Sequence, residues 1–131
     1  MKTILTVLFS SLFLSFTASS QSSECLDKIK MGKFKYMASG AVIEITRTKT
    51  KQIETFNNGK SKVISKIKWI SDTECILTFE KEINAPGCLK KGDKMKMTIL
   101  ECDGNEYLVS VTSENCGDVE ITVMIVSNKS K

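Results

Sequence analysis

Apolar residues alternate with Lys, Glu, Thr and Ser along most of the chain after Gly32, and turn residues recur at short intervals. A period of two is typical of β-strands that bury one face. The segments between turns number eight, and their short connections make each strand antiparallel to the next. Before the first strand, Leu26 and Ile29 fall on one side of residues 24–31, which predicts one or two helical turns.

Three later hairpins fix which face each strand buries. Three-residue loops are predicted for them at residues 71–73, 102–104 and 115–117. In this register Trp69 lies opposite Cys75, Met97 opposite Val109, and Val109 opposite Val123, so large apolar residues share one face. A two-residue Asp-Gly turn at residues 103–104 would shift the register by one and mix the two faces, so we reject it.

The agreement between these faces predicts an all-β fold. We expect about eight strands in an antiparallel meander that closes as a lipocalin-like, up-and-down barrel, because closure leaves no strand edge exposed. A two-sheet β-sandwich is the alternative. The chain contains no interior linker or repeat, so residues 21–131 are expected to form a single barrel-like domain.

The first 20 residues have the pattern of an export signal. Lys2 precedes an apolar run at residues 4–16 that is too short to span a bilayer, and small residues follow at positions 18–20. We therefore predict a signal peptide over residues 1–20, a secreted or periplasmic mature protein, and no membrane span after cleavage. An uncleaved N-terminal anchor is the alternative. Export would place the chain where disulfides persist.

Five cysteines leave one unpaired if the others form two bonds. Successive loops of a meander alternate between two ends, which places Cys88 and Cys116 at one end and Cys25, Cys75 and Cys102 at the other. A strand of about nine residues spans roughly 30 Å, far more than the ~7 Å between Cα atoms that a disulfide tolerates. We predict a Cys88–Cys116 disulfide and one bond among the other three cysteines.

Composition argues against several classes of chemistry. The chain has 19 basic and 15 acidic residues and no histidine, which excludes Ser-His-Asp and Cys-His catalysis and histidine metal ligands. No cysteine or acidic spacing matches a zinc or calcium site. The basic residues form no long run, so we expect no nucleic-acid partner. The sequence predicts a protein that is not an enzyme and needs no metal or cofactor.

Five residues are candidates for a ligand-binding site inside the barrel. In the predicted hairpin of the second and third strands, Arg47 lies opposite Gln52, and Glu54 projects from the same side. If this side of the sheet faces into the barrel, the polar cluster could bind the carboxylate or amide of a ligand. Trp69 and Tyr107 would add aromatic lining. For the polar cluster the alternatives are a structural ion pair and a solvated face. For the aromatic residues the alternative is an ordinary filled core, since a barrel of eight strands can be filled by side chains or hold one small ligand.

Three segments together resemble a group of short exported proteins from Bacteroidetes-type bacteria. They are GKFKY at residues 32–36, ITRT with QIE between residues 45 and 54, and IKWISD at residues 67–72. The group has no known function. Some members carry an inherited topoisomerase IV name, and this chain is far too short for such an ATP-dependent machine. The resemblance implies export and a β-rich fold, and it transfers no catalytic residue.

Two kinds of function fit these expectations. The first is an exported, non-enzymatic small barrel that binds a small apolar or amphipathic ligand. The second is a protein-interaction or inhibitor module that acts on an exported partner through its loops, above all residues 82–92. An inward polar cluster with aromatic lining favours the first function. A filled core with ordered, protruding loops favours the second.

Overall fold

A computed structural model describes residues 22–128 as a closed barrel of antiparallel strands. The strands are β1 Gly32–Ala38, β2 Ala41–Arg47, β3 Lys51–Phe56, β4 Ser61–Trp69, β5 Glu74–Ile83, β6 Lys94–Asp103, β7 Glu106–Ser113 and β8 Gly117–Asn128. They follow one another in chain order, and β8 pairs with β1. This confirms the all-β, up-and-down barrel, and the sandwich alternative is wrong. The predicted signal peptide lies outside the described residues.

One short helix, α1 (Ser23–Lys28), covers the end of the barrel at which β1 begins, which we call the helix end. The Ser22 hydroxyl accepts a hydrogen bond from the backbone N–H of Cys25 (3.1 Å) and caps the helix. Ile29, directly after the helix, is fully buried in the barrel core. The opposite end carries the turns around residues 39–40 and 57–60 and the connection at residues 84–93, and we call it the loop end.

The strands bury alternate residues, as a period of two predicts. β5 buries Cys75, Leu77 and Phe79, while the residues between them are only partly buried. β6 does the same with Met97 and Ile99. Buried side chains from the strands and from α1 form one continuous cluster inside the barrel, so the fold has a single core.

The β4–β5 hairpin has the predicted register, whereas the two later hairpins do not. Trp69 pairs with Cys75, as predicted. In β6–β7 the pairing is displaced by two residues, so that Met97 pairs with Val111, and β7–β8 is displaced by the same amount around a loop at residues 114–116. Because side chains alternate with a period of two, a displacement of two keeps each of them on its predicted face.

A β-bulge explains the error in the β6–β7 hairpin. The strands reverse through a two-residue turn at Gly104 and Asn105, so the three-residue loop predicted at residues 102–104 was wrong, and the rejected Asp103-Gly104 turn does not form. Gly104 has a φ of 61°, which suits glycine at the first position of such a turn. The register then shifts between Ile99 and Glu101, and this one-residue shift restores the alternation that the turn alone would have broken.

Two disulfides fasten segments outside the strand ladder, one at each end of the barrel. Cys88 is bonded to Cys116 at the loop end, the pairing that the meander predicts. Cys25 is bonded to Cys102 at the helix end, and Cys75 is the free, buried thiol. Two disulfides fit an oxidising compartment. Within residues 22–128, no helix is long and apolar enough to cross a membrane.

The native protein is expected to carry one thiol that reacts only after unfolding. Burial raises the pKa of Cys75 to about 11, so the thiolate that attacks alkylating reagents is scarce near neutral pH. Mass spectrometry after iodoacetamide treatment should show no adduct on the folded protein and one adduct in denaturant without reductant. Rapid alkylation of the folded protein, or several adducts in denaturant, would contradict this arrangement.

Candidate ligand-binding cavity

A cavity of about 220 Å³ lies inside the barrel. Apolar side chains such as Leu77, Met97 and Val109 form most of its wall. The polar residues that line it are Tyr36, Arg47, Gln52, Glu54, Ser65 and Tyr107. The barrel therefore encloses an apolar space with a set of polar side chains on one part of its wall, and it is not a completely filled core.

Arg47 lies at the helix end of the cavity and is only 2% exposed. Its Nε and Nη2 both donate to Oε1 of Gln52, at 2.9 and 2.8 Å. Nη2 also donates to the Tyr107 hydroxyl (3.2 Å), and Nη1 donates to the backbone carbonyl of Ile29. The guanidinium carbon lies 4.6 Å from the ring centre of Phe34. One side chain thus connects β2 with β1, β3, β7 and the segment after α1.

The charge of Arg47 is buried, and no carboxylate of the described residues forms an ion pair with it. Its hydrogen-bond acceptors are an amide, a hydroxyl and a backbone carbonyl, all of them neutral. A buried charge is normally paired, because an apolar environment solvates it poorly. The contact between the guanidinium and the Phe34 ring offsets only part of the free energy lost on removing the charge from water. The helix end of the cavity therefore carries a fixed positive charge.

Glu54 is the one carboxyl group among the residues that line the cavity. The Tyr36 hydroxyl donates a hydrogen bond of 3.0 Å to its Oε1. Burial raises the pKa of Glu54, while this hydrogen bond and the charge of Arg47 oppose the increase. Burial likewise raises the pKa of Tyr36, and the neighbouring Glu54 adds to that effect. Glu54 therefore holds its proton more readily than an exposed glutamate does.

The cavity brings together four of the five predicted ligand-binding residues, namely Arg47, Gln52, Glu54 and Tyr107. Trp69 does not line it. The Trp69 ring centre lies 6.0 Å from the guanidinium carbon of Arg47, and the Lys30 ammonium lies 3.7 Å above the ring. The ring Nε1 is buried and has no hydrogen-bond partner among the described residues. Trp69 is therefore part of the packing at the helix end.

Tyr36 and Leu89 are among the cavity-lining residues that sequence reasoning did not identify. Tyr36 lies two positions after Phe34 in β1, so its inward face follows from the period of two. Its hydrogen bond to Glu54 joins β1 to β3, which are not neighbouring strands, and no hairpin register predicts such a contact. Leu89 lies in the connection at residues 84–93, where no periodicity exists to indicate its direction.

Neither a metal site nor a known family defines this cavity. The described residues contain no group of three or more His, Cys, Asp or Glu side chains that could hold a metal ion. No family model matches the chain, and comparison with curated proteins finds no match. The resemblance to short exported proteins therefore stays a prediction.

Gln52→Leu is expected to lower the free energy of unfolding by about 2–3 kcal/mol, because it leaves two buried N–H groups of Arg47 without an acceptor. Urea denaturation followed by Trp69 fluorescence measures the change. Gln52→Glu is the matched control, since it keeps the acceptor position and adds a counter-charge, so its stability should be retained. Equal stability of Gln52→Leu and the wild type would show that these hydrogen bonds do not stabilise the barrel.

Glu54→Gln is expected to be more stable than the wild type at neutral pH. Because the pKa of Glu54 is raised in the folded state, that state retains the proton to a higher pH than the unfolded state does. The wild type therefore loses stability as the pH rises above the ordinary value of about 4.5, and the variant does not. Urea denaturation across a pH series measures the difference. The same substitution at exposed Glu82 is the control, and a pH-independent difference for Glu54→Gln would contradict the expectation.

Proposed function

We propose that this protein is an exported, non-enzymatic barrel that binds one small amphipathic ligand inside its cavity. The carboxylate of the ligand contacts Arg47, and its apolar body lies against the strand walls. One observation supports this most strongly: the charge of Arg47 is buried at the end of an apolar cavity with neutral acceptors alone. A ligand carboxylate would supply the counter-charge and form charge-assisted hydrogen bonds.

Arg47 and Tyr107 both retain hydrogen-bond donors for such a ligand. A guanidinium group has five N–H donors, and Arg47 makes four hydrogen bonds. The Tyr107 hydroxyl accepts one of them and donates to no described residue. Burial raises the pKa of Tyr107, so the hydroxyl keeps its proton at neutral pH. A phenol donor next to a positive charge is suited to a carboxylate oxygen.

The volume of the cavity limits the size of the ligand. An apolar cavity of about 150 Å³ accommodates benzene, so a cavity of about 220 Å³ accommodates roughly nine non-hydrogen atoms. A medium-chain acid such as octanoate is close to this size. Met95 and Met97 lie in the wall, and their unbranched side chains can adapt to a ligand of irregular shape.

The alternative function, docking of another protein on the loops, has less support. The connection at residues 84–93 contains one large aliphatic side chain, Leu89, and it lines the cavity. The adjacent Cys88–Cys116 disulfide fastens this part of the connection to the next loop. The large aliphatic side chain of this connection is therefore directed towards the cavity, and Ile83, 43% exposed at the end of β5, is the large apolar residue of residues 82–92 that is left for a partner.

Isothermal titration calorimetry with octanoate, octan-1-ol and octylamine tests the proposal. The three compounds share a hydrocarbon chain and differ in the charge of the head group, and each is used below its micelle-forming concentration. Octanoate is expected to bind about tenfold more tightly than octan-1-ol, because hydrogen bonds between charged groups are stronger than neutral ones, and octylamine is expected to bind most weakly. Absence of binding by all three compounds would overturn the proposal.

Gln52→Glu tests the role of Arg47 directly. The variant gives the guanidinium an internal carboxylate of nearly the same shape, so octanoate binding should weaken by about tenfold or more while octan-1-ol binding stays unchanged. Lys66→Gln, on the exposed outer face of β4, is the control for attraction to surface lysines and should change neither. Equal octanoate affinity in Gln52→Glu and the wild type would exclude Arg47 as the anion site.

A further inference from the structure

β1 and β8 close the barrel along only part of their length. Their pairing begins at Gly32 and ends where Lys35 lies opposite Met124. Beyond this point, residues 36–38 pair with β2 alone, and residues 119–123 pair with β7 alone. The barrel wall therefore has a lateral opening between β1 and β8 on the side of the loop end.

A groove of about 870 Å³ follows this opening, and we call it the β1–β8 groove. Outward-facing Met37 and Met124 line it. Three residues line both this groove and the inner cavity: Tyr36, Val119 and Ile121. Tyr36 lies on the β1 edge of the unpaired stretch, and Val119 and Ile121 lie on its β8 edge. The β1–β8 groove therefore lies directly beside the cavity at this opening.

Several large apolar side chains of the β1–β8 groove are exposed to solvent. Met37 is 63% exposed, Val42 49%, Val119 51% and Met124 50%, although all four lie on paired strands. Single exposed apolar residues are common, whereas a group of them along one groove marks a binding surface. The flexible, polarisable methionine side chains suit a hydrocarbon chain without a fixed shape.

We propose that the ligand is a linear, single-chain carboxylate longer than the cavity. Its tail leaves the barrel through the opening between β1 and β8 and lies in the β1–β8 groove against Met37 and Met124. This inference rests on the proposed function, because it takes the carboxylate to be held at Arg47. The two spaces adjoin at the opening and both have a largely apolar lining, although Lys35, Glu106 and Glu120 also line the groove, and this supports one extended occupant over two separate ligands.

A chain-length series tests the inference. Calorimetric titrations use unbranched carboxylates from hexanoate to tetradecanoate, each below the concentration at which it aggregates. If the tail enters the β1–β8 groove, affinity should keep increasing from octanoate to dodecanoate by roughly two- to fourfold per methylene. A profile that levels off at octanoate would overturn this inference and leave the proposed function intact. Failure of every acid to bind would overturn the proposed function itself.

A double variant locates the tail. Met37→Gln combined with Met124→Gln removes apolar contacts from the β1–β8 groove, so dodecanoate should bind about tenfold more weakly while hexanoate binding stays unchanged. Val126→Gln is the matched control, because Val126 is 56% exposed on β8 and does not line the groove. Equal losses for both acids, or the same loss in the control, would overturn the inference.

A second copy of the chain is the other occupant that the β1–β8 groove would suit. Sedimentation velocity of the ligand-free and the dodecanoate-bound protein distinguishes the two cases, and the inference predicts a monomer in both. A dimer that persists with dodecanoate, and that the Met37→Gln, Met124→Gln variant loses, would show that a second copy covers the groove. That result would overturn the inference.

Discussion

The buried guanidinium of Arg47 is the interaction on which the core of this barrel depends. It connects β2 to β3 through Gln52, to β7 through Tyr107, and to the segment after α1 through the Ile29 carbonyl. An apolar side chain of similar size would often fill such a position at less cost, because it requires no solvation of a buried charge. The hydrogen bonds explain how the barrel tolerates Arg47. A ligand carboxylate, as proposed, would explain why the position carries a charge at all.

A separate disulfide secures each end of the barrel. At the helix end, the Cys25–Cys102 disulfide and the burial of Ile29 hold the helical segment over the core, next to the positive charge. At the loop end, the Cys88–Cys116 disulfide holds a long connection beside the cavity. Between the ends, incomplete pairing of β1 with β8 leaves an opening in the wall. The fold thus combines a covered, charged end with an apolar interior and an incompletely paired stretch of its wall.

The sequence was sufficient to predict the inward face of β4 to β8, because alternation fixes that face over many residues at once. Exact pairing was predictable for Trp69 with Cys75, where the loop alone sets the register. It was not predictable in β6–β7, where a bulge leaves no mark in the alternation. The contacts between the cavity residues were likewise predictable only in part. The hairpin of β2 and β3 predicts that Arg47 and Gln52 lie together, but not that Tyr36 contacts Glu54 across the barrel.

Native mass spectrometry of the protein, isolated from its exported fraction without denaturant, tests the ligand-binding proposal most directly. The expected result is one non-covalent adduct per chain, which is lost on denaturation and recovered in the organic extract as an unbranched carboxylic acid. A native mass equal to the denatured mass of the same sample, reproduced under gentle ionisation, would contradict the proposal that the cavity holds such a ligand.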